Sequence, residues 1–557
     1  MIRPHPALRS APPSSPPRRT VRAAALAAAC ALALAACGGG DGDGTGEGSF
    51  PGGSTGLPDQ TGCFYRYTLL QPPASTGADP LLASQWHLDN TGQTGGTAGE
   101  DIRAFAAWSA TRGAGARVAV VDDAVETLHE DLLPNVVAGG SYSYRPGTVG
   151  SSYPLPCAIG DDHGTAVAGI VLARDGNAAG GAGVAPRAAL VGYSALATGF
   201  DADIADALTR GLAANGVYQN SWGSPDTGTL GTVTASFYAA IEAGIASGRG
   251  GKGAVYVFAG GNGGCYSLDS QGNCLQETAG LDGYLNHRGV IAVCAVDHRG
   301  RKPEYAEIGA NLLVCAPSSN DADTARITTT APRDAYRSDF SGSSASTPMV
   351  SGVVALMLAA NPDLSWRDVR LILARSARRN DAGDAGWVES GFGPAFNHKY
   401  GFGVANAEAA VALARGWTSV GGASSLRSCG PYARSPNIAL PDAVGSVLAP
   451  REDTVIVGSE CAITKIEYVE VEFSATHAYS GDLRIELVSP HALSSVLALE
   501  RSCGADGDAC GSYDGWRFGS VRHLDEPPGG GWRLRVTDAQ PLDTGTWRGW
   551  TLRIWGR

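Results

Sequence analysis

Three polar residues stand where an Asp–His–Ser catalytic relay could assemble. Asp122 ends the apolar run RVAVV at 117–121, His163 opens a run of small residues, and Ser344 lies at the entrance of an apolar segment. Each of them alone is commonly a cap or turn residue. Together they suit nucleophilic catalysis, in which a histidine takes the serine proton and a carboxylate orients the imidazole. The chain order Asp, His, Ser excludes the orders of α/β-hydrolases and chymotrypsin-like enzymes, and Ser344 lacks the second glycine of a GxSxG elbow.

The segments that must position these residues alternate between strands and helices. Apolar runs at 117–121, 253–259 and 289–296 predict buried strands. Small and apolar residues at 164–173 and 347–360 predict buried helices. This alternation predicts an α/β domain around a mostly parallel sheet.

After residue 417 the pattern changes. Segments 466–473, 482–488 and 532–536 alternate apolar and polar residues between turn-forming residues. That alternation is typical of an antiparallel sandwich, so we expect a second, all-β domain of the jelly-roll type. The boundary is expected between residues 418 and 440.

The N-terminus predicts export. The apolar run at 23–36 follows five arginines and is too short to span a bilayer comfortably, as in the core of an export signal. It ends in Leu34-Ala35-Ala36-Cys37, which resembles a bacterial lipobox whose cysteine is acylated; a plain secretory signal is the alternative. We expect a signal at 1–36, a Gly-rich tether at 37–60, an α/β domain at 61–417, and a linker with the β domain at 418–557. From the lipobox-like segment we expect an exported lipoprotein anchored in a membrane, with the outer membrane as the expected location.

Charge and cysteine content narrow the classes of function. The formal net charge of −12 argues against a nucleic-acid-binding protein. It suits basic substrates or calcium, and equally a surface that is acidic only for solubility. Ten of the 12 cysteines remain after Cys30 and Cys37, and an even number in an exported chain favours disulfides. No CxxC or HExxH spacing supports a zinc site.

The three relay motifs resemble those of the subtilase family, over residues 79–417. The resemblance implies that Ser344 is the nucleophile, that His163 is the general base and acid, and that Asp122 orients the imidazole. The segment FAGGNGG at 258–264 resembles the one that presents an amide to the oxyanion, a role that falls to Asn262. A plain turn is the alternative for an asparagine among glycines.

A finer resemblance is to the kexin/furin branch. It rests on DPLLASQWHL (79–88), VDD (121–123), GKGAVYVFAGGNGG (251–264), LDGY (281–284) and HKYGFG (398–403). The C-terminal part resembles the companion P (Homo B) domain of that branch through Gly481-Asp482-Leu483 and Trp550. The branch implies a serine endopeptidase acting on proteins and peptides, with cleavage after Arg/Lys or dibasic sites.

The resemblance also assigns the substrate pockets. Ser221, Trp222 and Gly223 resemble the strand that pairs with an extended substrate. Asp226 and Asp282 fall where the branch places acids for the residue before the scissile bond, and Asp123 matches an acid of the next pocket. The alternatives are that these acids are solvated loop residues and that the enzyme is a broad-specificity subtilase. TGTLGTV after Asp226 lacks further acids, so no strict multibasic requirement is expected.

Structural calcium is the cofactor that the resemblance implies. Asp79, Asp131 and Asn177 match one family site. Asp226, Asp269 and Glu307 resemble a second site beneath the specificity pocket, whereas segment 139–150 has no acid for a third. Oxygen ligands from separate loops suit Ca²⁺, and ordinary solvated acids are the alternative.

Two further expectations concern partners. Few residues separate Cys37 from Asp79, and they leave little room for the folding propeptide usual in the family. We therefore expect folding to depend on the P domain, on calcium or on a separate helper protein. The rival from another class is a non-catalytic surface-binding lipoprotein, which would require a broken relay.

Overall fold

The computed structural model describes residues 56–69, 76–265, 267–268, 274–320, 325–443, 448–503 and 510–557, with the backbone alone at 267–268 and 274–275. The described residues belong to one compact unit. The predicted signal, the acylated Cys37, most of the tether and Asp269 lie outside the described residues.

The α/β part is built on one six-stranded sheet. The strands of this part are β1 (Arg117–Val121), β2 (Ala189–Tyr193), β3 (Val217–Asn220), β4 (Val255–Ala259), β5 (Ser267–Leu268), β6 (Cys274–Leu275), β7 (Val290–Val296), β8 (Leu312–Pro317), β9 (Ile327–Ala331) and β10 (Ala335–Phe340). Strands β5 and β6 form a separate two-stranded sheet, as do β9 and β10. The main sheet has the order β2-β1-β3-β4-β7-β8, and every pairing in it is parallel. The predicted mostly parallel sheet is confirmed.

Seven α-helices accompany this sheet in the described part of the chain. They are α1 (Ala104–Trp108), α2 (His163–Leu172), α3 (Asp201–Thr209), α4 (Ala235–Gly251), α5 (Ser343–Ala360), α6 (Trp366–Ser376) and α7 (Ala407–Arg415). Short 3₁₀ turns occupy Leu82–Ser84, Leu133–Asn135, Ala195–Ala197, Gly263–Cys265, Ala279–Leu281, Gly283–Leu285, Ala423–Ser425 and Ser480–Asp482. Helix α5 is apolar and long enough to cross a membrane, but 83% of it is buried in the protein, so it is a core helix.

The C-terminal part is a sandwich of two antiparallel sheets. Its strands are β11 (Arg427–Arg434), β12 (Ile438–Leu440), β13 (Arg451–Val457), β14 (Ile466–His477), β15 (Leu483–Val488), β16 (Ser494–Ala498), β17 (Tyr513–Ser520), β18 (Gly530–Asp538) and β19 (Gly545–Gly556). One sheet has the order β11-β19-β14-β17, with β12 also on β19, and the other β13-β18-β15-β16. Buried aromatic side chains such as Trp532, Trp547 and Phe473 fill the space between them. The predicted all-β domain is confirmed.

The sandwich packs directly on the loops of the α/β part. Arg501 Nε donates to the carbonyl of Gly228 (2.5 Å), and Trp516 Nε1 donates to the carbonyl of Gly280 (3.1 Å). A bidentate pair between Arg367 and Glu467 is buried at the same interface. These contacts hold the backbone beside two of the predicted pocket acids.

Disulfides use the cysteines in pairs, as the even count indicated. Four bonds join Cys63 to Cys157, Cys294 to Cys315, Cys429 to Cys461 and Cys503 to Cys510. Cys265 is also disulfide-bonded. Cys294 and Cys315 are paired in register on the neighbouring strands β7 and β8.

Candidate active site

Asp122 and His163 form the first half of the relay. Asp122 directly follows β1 and is 1% exposed, while His163 is the first residue of α2. The His163 Nδ1 atom lies 2.9 Å from Asp122 Oδ1. Gly164 permits this approach, because a Cβ atom there would lie 2.2 Å from the carbonyl oxygen of Ala124. The buried carboxylate therefore fixes the ring so that Nε2 is left for chemistry.

Asp123 supports the same turn. Its carboxylate accepts hydrogen bonds from the backbone N–H groups of His163 (3.2 Å) and Gly164 (2.8 Å), which are unsatisfied donors at the start of α2. Burial and the charge of Asp122 raise the pKa of Asp123 to about 7. The structure thus gives Asp123 a place at the helix start beside the histidine.

Ser344 lies in the first turn of α5. Pro348 has no N–H to donate to the carbonyl of Ser344, and Ser221 Oγ donates to that oxygen instead (3.0 Å). The Ser344 hydroxyl in turn donates to the carbonyl of Ser221 (3.2 Å). These two bonds tie the end of β3 to the start of α5. The hydroxyl has to turn toward His163 when substrate binds, as relay hydrogen bonds often form only in the complex.

Asn262 is oriented toward the same cleft. Its Oδ1 atom accepts from the backbone N–H (2.8 Å) and the hydroxyl (3.0 Å) of Ser343, which fixes the amide orientation. The Nδ2 group makes no hydrogen bond within the described residues. A cleft of about 370 Å³ is lined by His163, Asn262, Ser344 and neighbouring residues. An amide donor beside the nucleophile suits stabilisation of an oxyanion.

We expect the Asn262→Ala variant to lose about 10²–10³-fold in kcat, with KM little changed, because the amide acts on charge that develops in the transition state. Steady-state kinetics on one peptide substrate measure the split. A loss confined to KM would contradict the oxyanion role, and rescue of the kcat by Asn262→Gln would indicate that the donor position tolerates movement.

The relay predicts a pH dependence with a defined sign. Burial lowers the pKa of His163, but the charge and hydrogen bond of Asp122 outweigh burial and hold that pKa above its ordinary value of 6.5. Neutral imidazole is the competent base, so kcat/KM should fall as pH drops through this raised pKa. Asp123→Asn removes a second negative charge while keeping an acceptor for the helix start, so the midpoint should move to lower pH. An unmoved midpoint would show that Asp123 does not act on the histidine.

The residues predicted to bind substrate directly follow β3. Trp222 Nε1 donates to the carbonyl of Val121 (2.8 Å), and its ring packs edge-on against Phe258 and Tyr284. Gly223 follows, exposed, and a Cβ there would lie 2.4 Å from Asp282 Oδ2. The predicted substrate strand therefore runs past a buried carboxylate.

Asp282 is the buried acid of this region. It accepts from Ser224 N (3.0 Å), Ser224 Oγ (3.0 Å) and Tyr284 N (2.8 Å). Burial raises the pKa of Asp282 to about 6. A carboxylate offers about four lone-pair sites, so one remains for a cation that enters the pocket.

Asp226 belongs to a second acidic group. Its carboxylate and those of Glu277 and Glu307 offer oxygens that all lie within 4.8 Å of one another. Burial and the charges of Glu277 and Asp226 raise the pKa of Glu307 well above its ordinary value, and burial raises that of Glu277 to about 7. Such crowding favours a shared cation.

Glu277 is the member of this group that sequence reasoning missed. Asp269 was predicted in its place, and it lies outside the described residues. Glu277 is brought in by its backbone, whose N–H donates to the carbonyl of Gly263 (2.7 Å) beside Asn262. The signal available in the sequence was its position shortly before Asp282.

The other predicted calcium residues also meet. Asn177 donates from its backbone to Asp79 Oδ1 (3.1 Å) and from its amide to Asp131 Oδ1 (2.9 Å). Burial raises the pKa of Asp131 to about 7. All three residues are less than 9% exposed. Two acids are thus held close together with a single amide between them.

An Asp–His–Ser relay on a parallel α/β sheet, with an asparagine amide in the same cleft, is the arrangement of subtilisin-type enzymes. The Subtilase family model matches residues 113–403, and the Proprotein convertase P-domain model matches residues 466–554. The chain belongs to the subtilase family.

Two relatives and one solved protein set the degree of similarity. The chain is 34% identical to the dibasic-processing endoprotease of Schizosaccharomyces pombe, over 86% of this chain and 65% of that protein. It is 32% identical to neuroendocrine convertase 2 of Mus musculus, over 86% of this chain and 74% of that protein. The crystal structure of the serine protease of Aeromonas sobria is 27% identical with a TM-score of 0.74, covering 87% of this chain and 96% of that one. The same protease in its crystal structure with the chaperone ORF2 is 26% identical with a TM-score of 0.74, covering 87% of this chain and 97% of that one. The chain spans less than two thirds of the yeast relative's length.

Proposed function

We propose that the protein is a serine endopeptidase that cleaves proteins and peptides after Arg or Lys through an acyl-enzyme. The observation that carries the proposal is that His163, Asn262 and Ser344 line one cleft, while the buried Asp122 carboxylate lies 2.9 Å from His163 Nδ1. Ser344 Oγ attacks the peptide carbonyl while His163 Nε2 takes its proton. His163 then gives this proton to the leaving amine, which leaves an acyl ester on Ser344. In the second half of the reaction His163 takes a proton from water, the water attacks the ester, and His163 returns the proton to Ser344 Oγ.

Specificity for basic residues is supported by the pocket acids. Asp282 lies beneath exposed Gly223, and its charge is disfavoured by burial until a cation arrives. A guanidinium would satisfy its remaining lone pair, whereas an apolar side chain would leave the carboxylate buried without a counter-charge. The yeast relative's name, a dibasic-processing endoprotease, agrees with this preference. A broad-specificity subtilase is the second candidate.

Cleavage of a mixed peptide library by the purified protein in calcium tests the proposal. Cuts clustered after Arg and Lys, absent from a Ser344→Ala control, are the expected result. Cuts after apolar residues would retain the peptidase and reject the basic specificity. If folded protein shows no serine-dependent cleavage, the function is binding at the surface and not proteolysis.

Structural calcium is part of this proposal, and the residues present fit it. Asp226, Glu277 and Glu307 form no ion pair with a basic side chain within the described part of the chain, although their oxygens converge. Asp79, Asp131 and Asn177 offer a second set of oxygens. Carboxylate and amide oxygens from separate loops are ligands of Ca²⁺, which would neutralise the acids beneath the pocket.

Removing calcium should therefore destabilise the protein. In Ser344→Ala protein, which cannot digest itself, each calcium site should add about 2.7 kcal/mol to the free energy of unfolding when calcium is at 100 times the dissociation constant of that site. Glu307→Gln should lose the contribution of its own site and keep that of the Asp79/Asp131/Asn177 site, so its melting temperature should respond less to EGTA. An equal response in parent and variant would reject Glu307 as a ligand.

Export and folding complete the proposal. The lipobox ending at Cys37 supports an anchor in the outer membrane, which incorporation of an alkyne fatty acid into parent but not Cys37→Ser protein would test. The Aeromonas sobria protease has been crystallised with a chaperone, which supports a folding helper here as well. Refolding of the purified chain to full activity in calcium alone would contradict the helper.

A further inference from the structure

The N-terminal segment that contains Cys63 is bonded to the loop that leads into His163. A disulfide joins Cys63 to Cys157, 94 positions later in the chain. Beside it, the backbone N–H groups of Phe64 (2.8 Å) and Tyr65 (3.2 Å) both donate to the carbonyl of Cys157. One covalent bond and two hydrogen bonds thus connect the two segments at a single residue of the loop.

This N-terminal segment closes on itself and packs beside a hairpin. The Gln60 side chain donates to the carbonyl of Tyr67 (3.0 Å) and accepts from the Tyr67 backbone N–H, so residues 60–67 form a closed turn that we call the N-terminal strap. Burial and the charge of Glu126 raise the pKa of Tyr67, whose phenol oxygen is buried. Glu126 in turn accepts from the backbone N–H of Arg333 (2.6 Å), between β9 and β10. The strap therefore reaches from the loop before the histidine to the hairpin that precedes α5.

The loop before His163 depends on the strap for its connections. Its tip is exposed, and within the described residues the segment 155–160 is hydrogen-bonded to other segments only through the Cys157 carbonyl. The N–H groups of Cys157 (2.9 Å) and Ala158 (2.7 Å) donate to Asp161, which belongs to the same loop. A segment with few buried contacts and few hydrogen bonds to its surroundings opens at low free-energy cost. Without the strap, the loop would lose these connections.

The strap also lies close to the general base of the relay. Asp162 directly precedes His163, and its Oδ2 atom accepts from Nη1 of Arg337 (2.9 Å), a residue that lines the cleft. Burial and the charges of Asp162 and Asp161 raise the pKa of Tyr65, because this strap residue lies beside the same acids. The strap thus flanks the start of α2 without lining the cleft itself.

The strap disulfide is also the most accessible of those described. Four disulfides have both cysteines in the described part of the chain, and three of these contain at least one buried cysteine. Cys63 and Cys157 are both only half-buried. Thiol–disulfide exchange requires that a thiolate reach a sulfur atom, so a reductant should attack this bond first.

We propose that the N-terminal strap positions the loop before His163, and that reduction of Cys63–Cys157 by a dithiol releases the strap and lowers the peptidase activity. One thiolate of the dithiol attacks a sulfur of the disulfide, and its second thiolate then displaces the bound cysteine. Two protein thiols and one oxidised dithiol result, and the cysteines take up the protons that the dithiol gives up. The inference rests on the proposed peptidase function and export. Full activity would then be confined to compartments in which disulfides form.

Mild reduction of the full-length protein tests the strap. Limited dithiothreitol, followed by alkylation and peptide mapping, should label Cys63 and Cys157 before any other cysteine. In the labelled protein, kcat on an arginine peptide should fall about 10²-fold, because a displacement of the base by about 1 Å has an effect of that size. KM should change little, since the residues proposed to bind substrate follow β3. Reoxidation of reduced protein that has not been alkylated should restore kcat.

The double variant Cys63→Ser/Cys157→Ser provides the open state without a reductant. Its kcat should match that of the reduced parent and should no longer respond to dithiothreitol. Cys429→Ser/Cys461→Ser is the matched control, because it removes a disulfide of the sandwich and leaves the strap bonded. This control should lose kcat on mild reduction by the same factor as the parent.

Hydrogen exchange in Ser344→Ala protein tests the strap independently of activity. Reduction should increase exchange at residues 155–162 and leave β7 and β18 protected. If the parent cleaves no peptide, the proposed peptidase function fails, and the exchange result still decides whether the strap positions the loop. Unchanged exchange at 155–162 after reduction of the strap disulfide, earlier labelling of another disulfide, or a parent-like kcat in the folded double variant would overturn the proposal.

Discussion

Ser344→Ala should lower kcat by about 10⁶-fold, because nucleophile and base act as a unit and the loss of one removes the acyl-enzyme route. The hydroxyl is the only part of Ser344 that the variant loses, since its carbonyl remains bonded to Ser221 Oγ (3.0 Å). Pre-steady-state kinetics with a chromogenic arginine ester in excess over enzyme should show a burst of product in the parent and none in the variant.

Ser343→Ala is the matched control. Ser343 Oγ donates to Asn262 Oδ1 (3.0 Å), but the Ser343 backbone N–H also holds that oxygen (2.8 Å) and survives the change. The loss should therefore stay within about tenfold, the value of one hydrogen bond of about 1 kcal/mol. If Ser343→Ala abolished turnover and Ser344→Ala did not, the nucleophile would be misassigned.

The relay was predictable because each member belongs to a local segment with its own signal. Asp122 ends a strand of β-branched residues, and His163 and Ser344 open helices of small residues. The predicted strand at 117–121 agrees with β1, and the predicted helix at 164–173 agrees with α2 to within one residue. Helix α5 begins one turn before the predicted residue 347, because Pro348 lies in its second turn and not at its start, the usual position of a helix proline.

Residues that act through distant contacts were not predictable in the same way. Glu277 joins Asp226 and Glu307 through a turn that returns to Gly263, and no local pattern marks such a return. Two hydrogen bonds across the domain interface, from Arg501 to the carbonyl of Gly228 and from Trp516 to that of Gly280, depend on how the two domains dock. Domain order is visible in a sequence, but the side chains that meet across the interface are determined by packing.

This docking gives the C-terminal domain a direct part in the site. Trp516 is 8% exposed and supports the carbonyl of Gly280, two residues before Asp282. The pocket acid is therefore held from one side by Ser224 and Tyr284 and from the other by a strand of the sandwich. A domain without relay residues thus contacts the backbone beside the carboxylate that we propose as the pocket acid.

Asp282→Asn should lower kcat/KM for substrates with arginine before the scissile bond by about 30- to 4000-fold. Truncating one partner of a buried, hydrogen-bonded charge pair costs about 2–5 kcal/mol, and each 1.4 kcal/mol is about tenfold. An asparagine keeps one acceptor for the donors of Ser224 and Tyr284 but has no charge for the guanidinium. Parallel kinetics on peptides that differ only in arginine or norleucine at that position measure the change.

The norleucine substrate separates specificity from damage, because its cleavage uses the same relay without the pocket charge. The kcat/KM for the norleucine substrate should stay the same or rise in Asp282→Asn, because an apolar side chain no longer leaves a buried carboxylate without a counter-charge. Ser224→Ala is the matched control: it removes one donor to Asp282 (3.0 Å) but keeps the carboxylate, and should preserve the preference for arginine. Equal losses on both substrates would mean that Asp282 supports the fold of the cleft and does not select the basic residue.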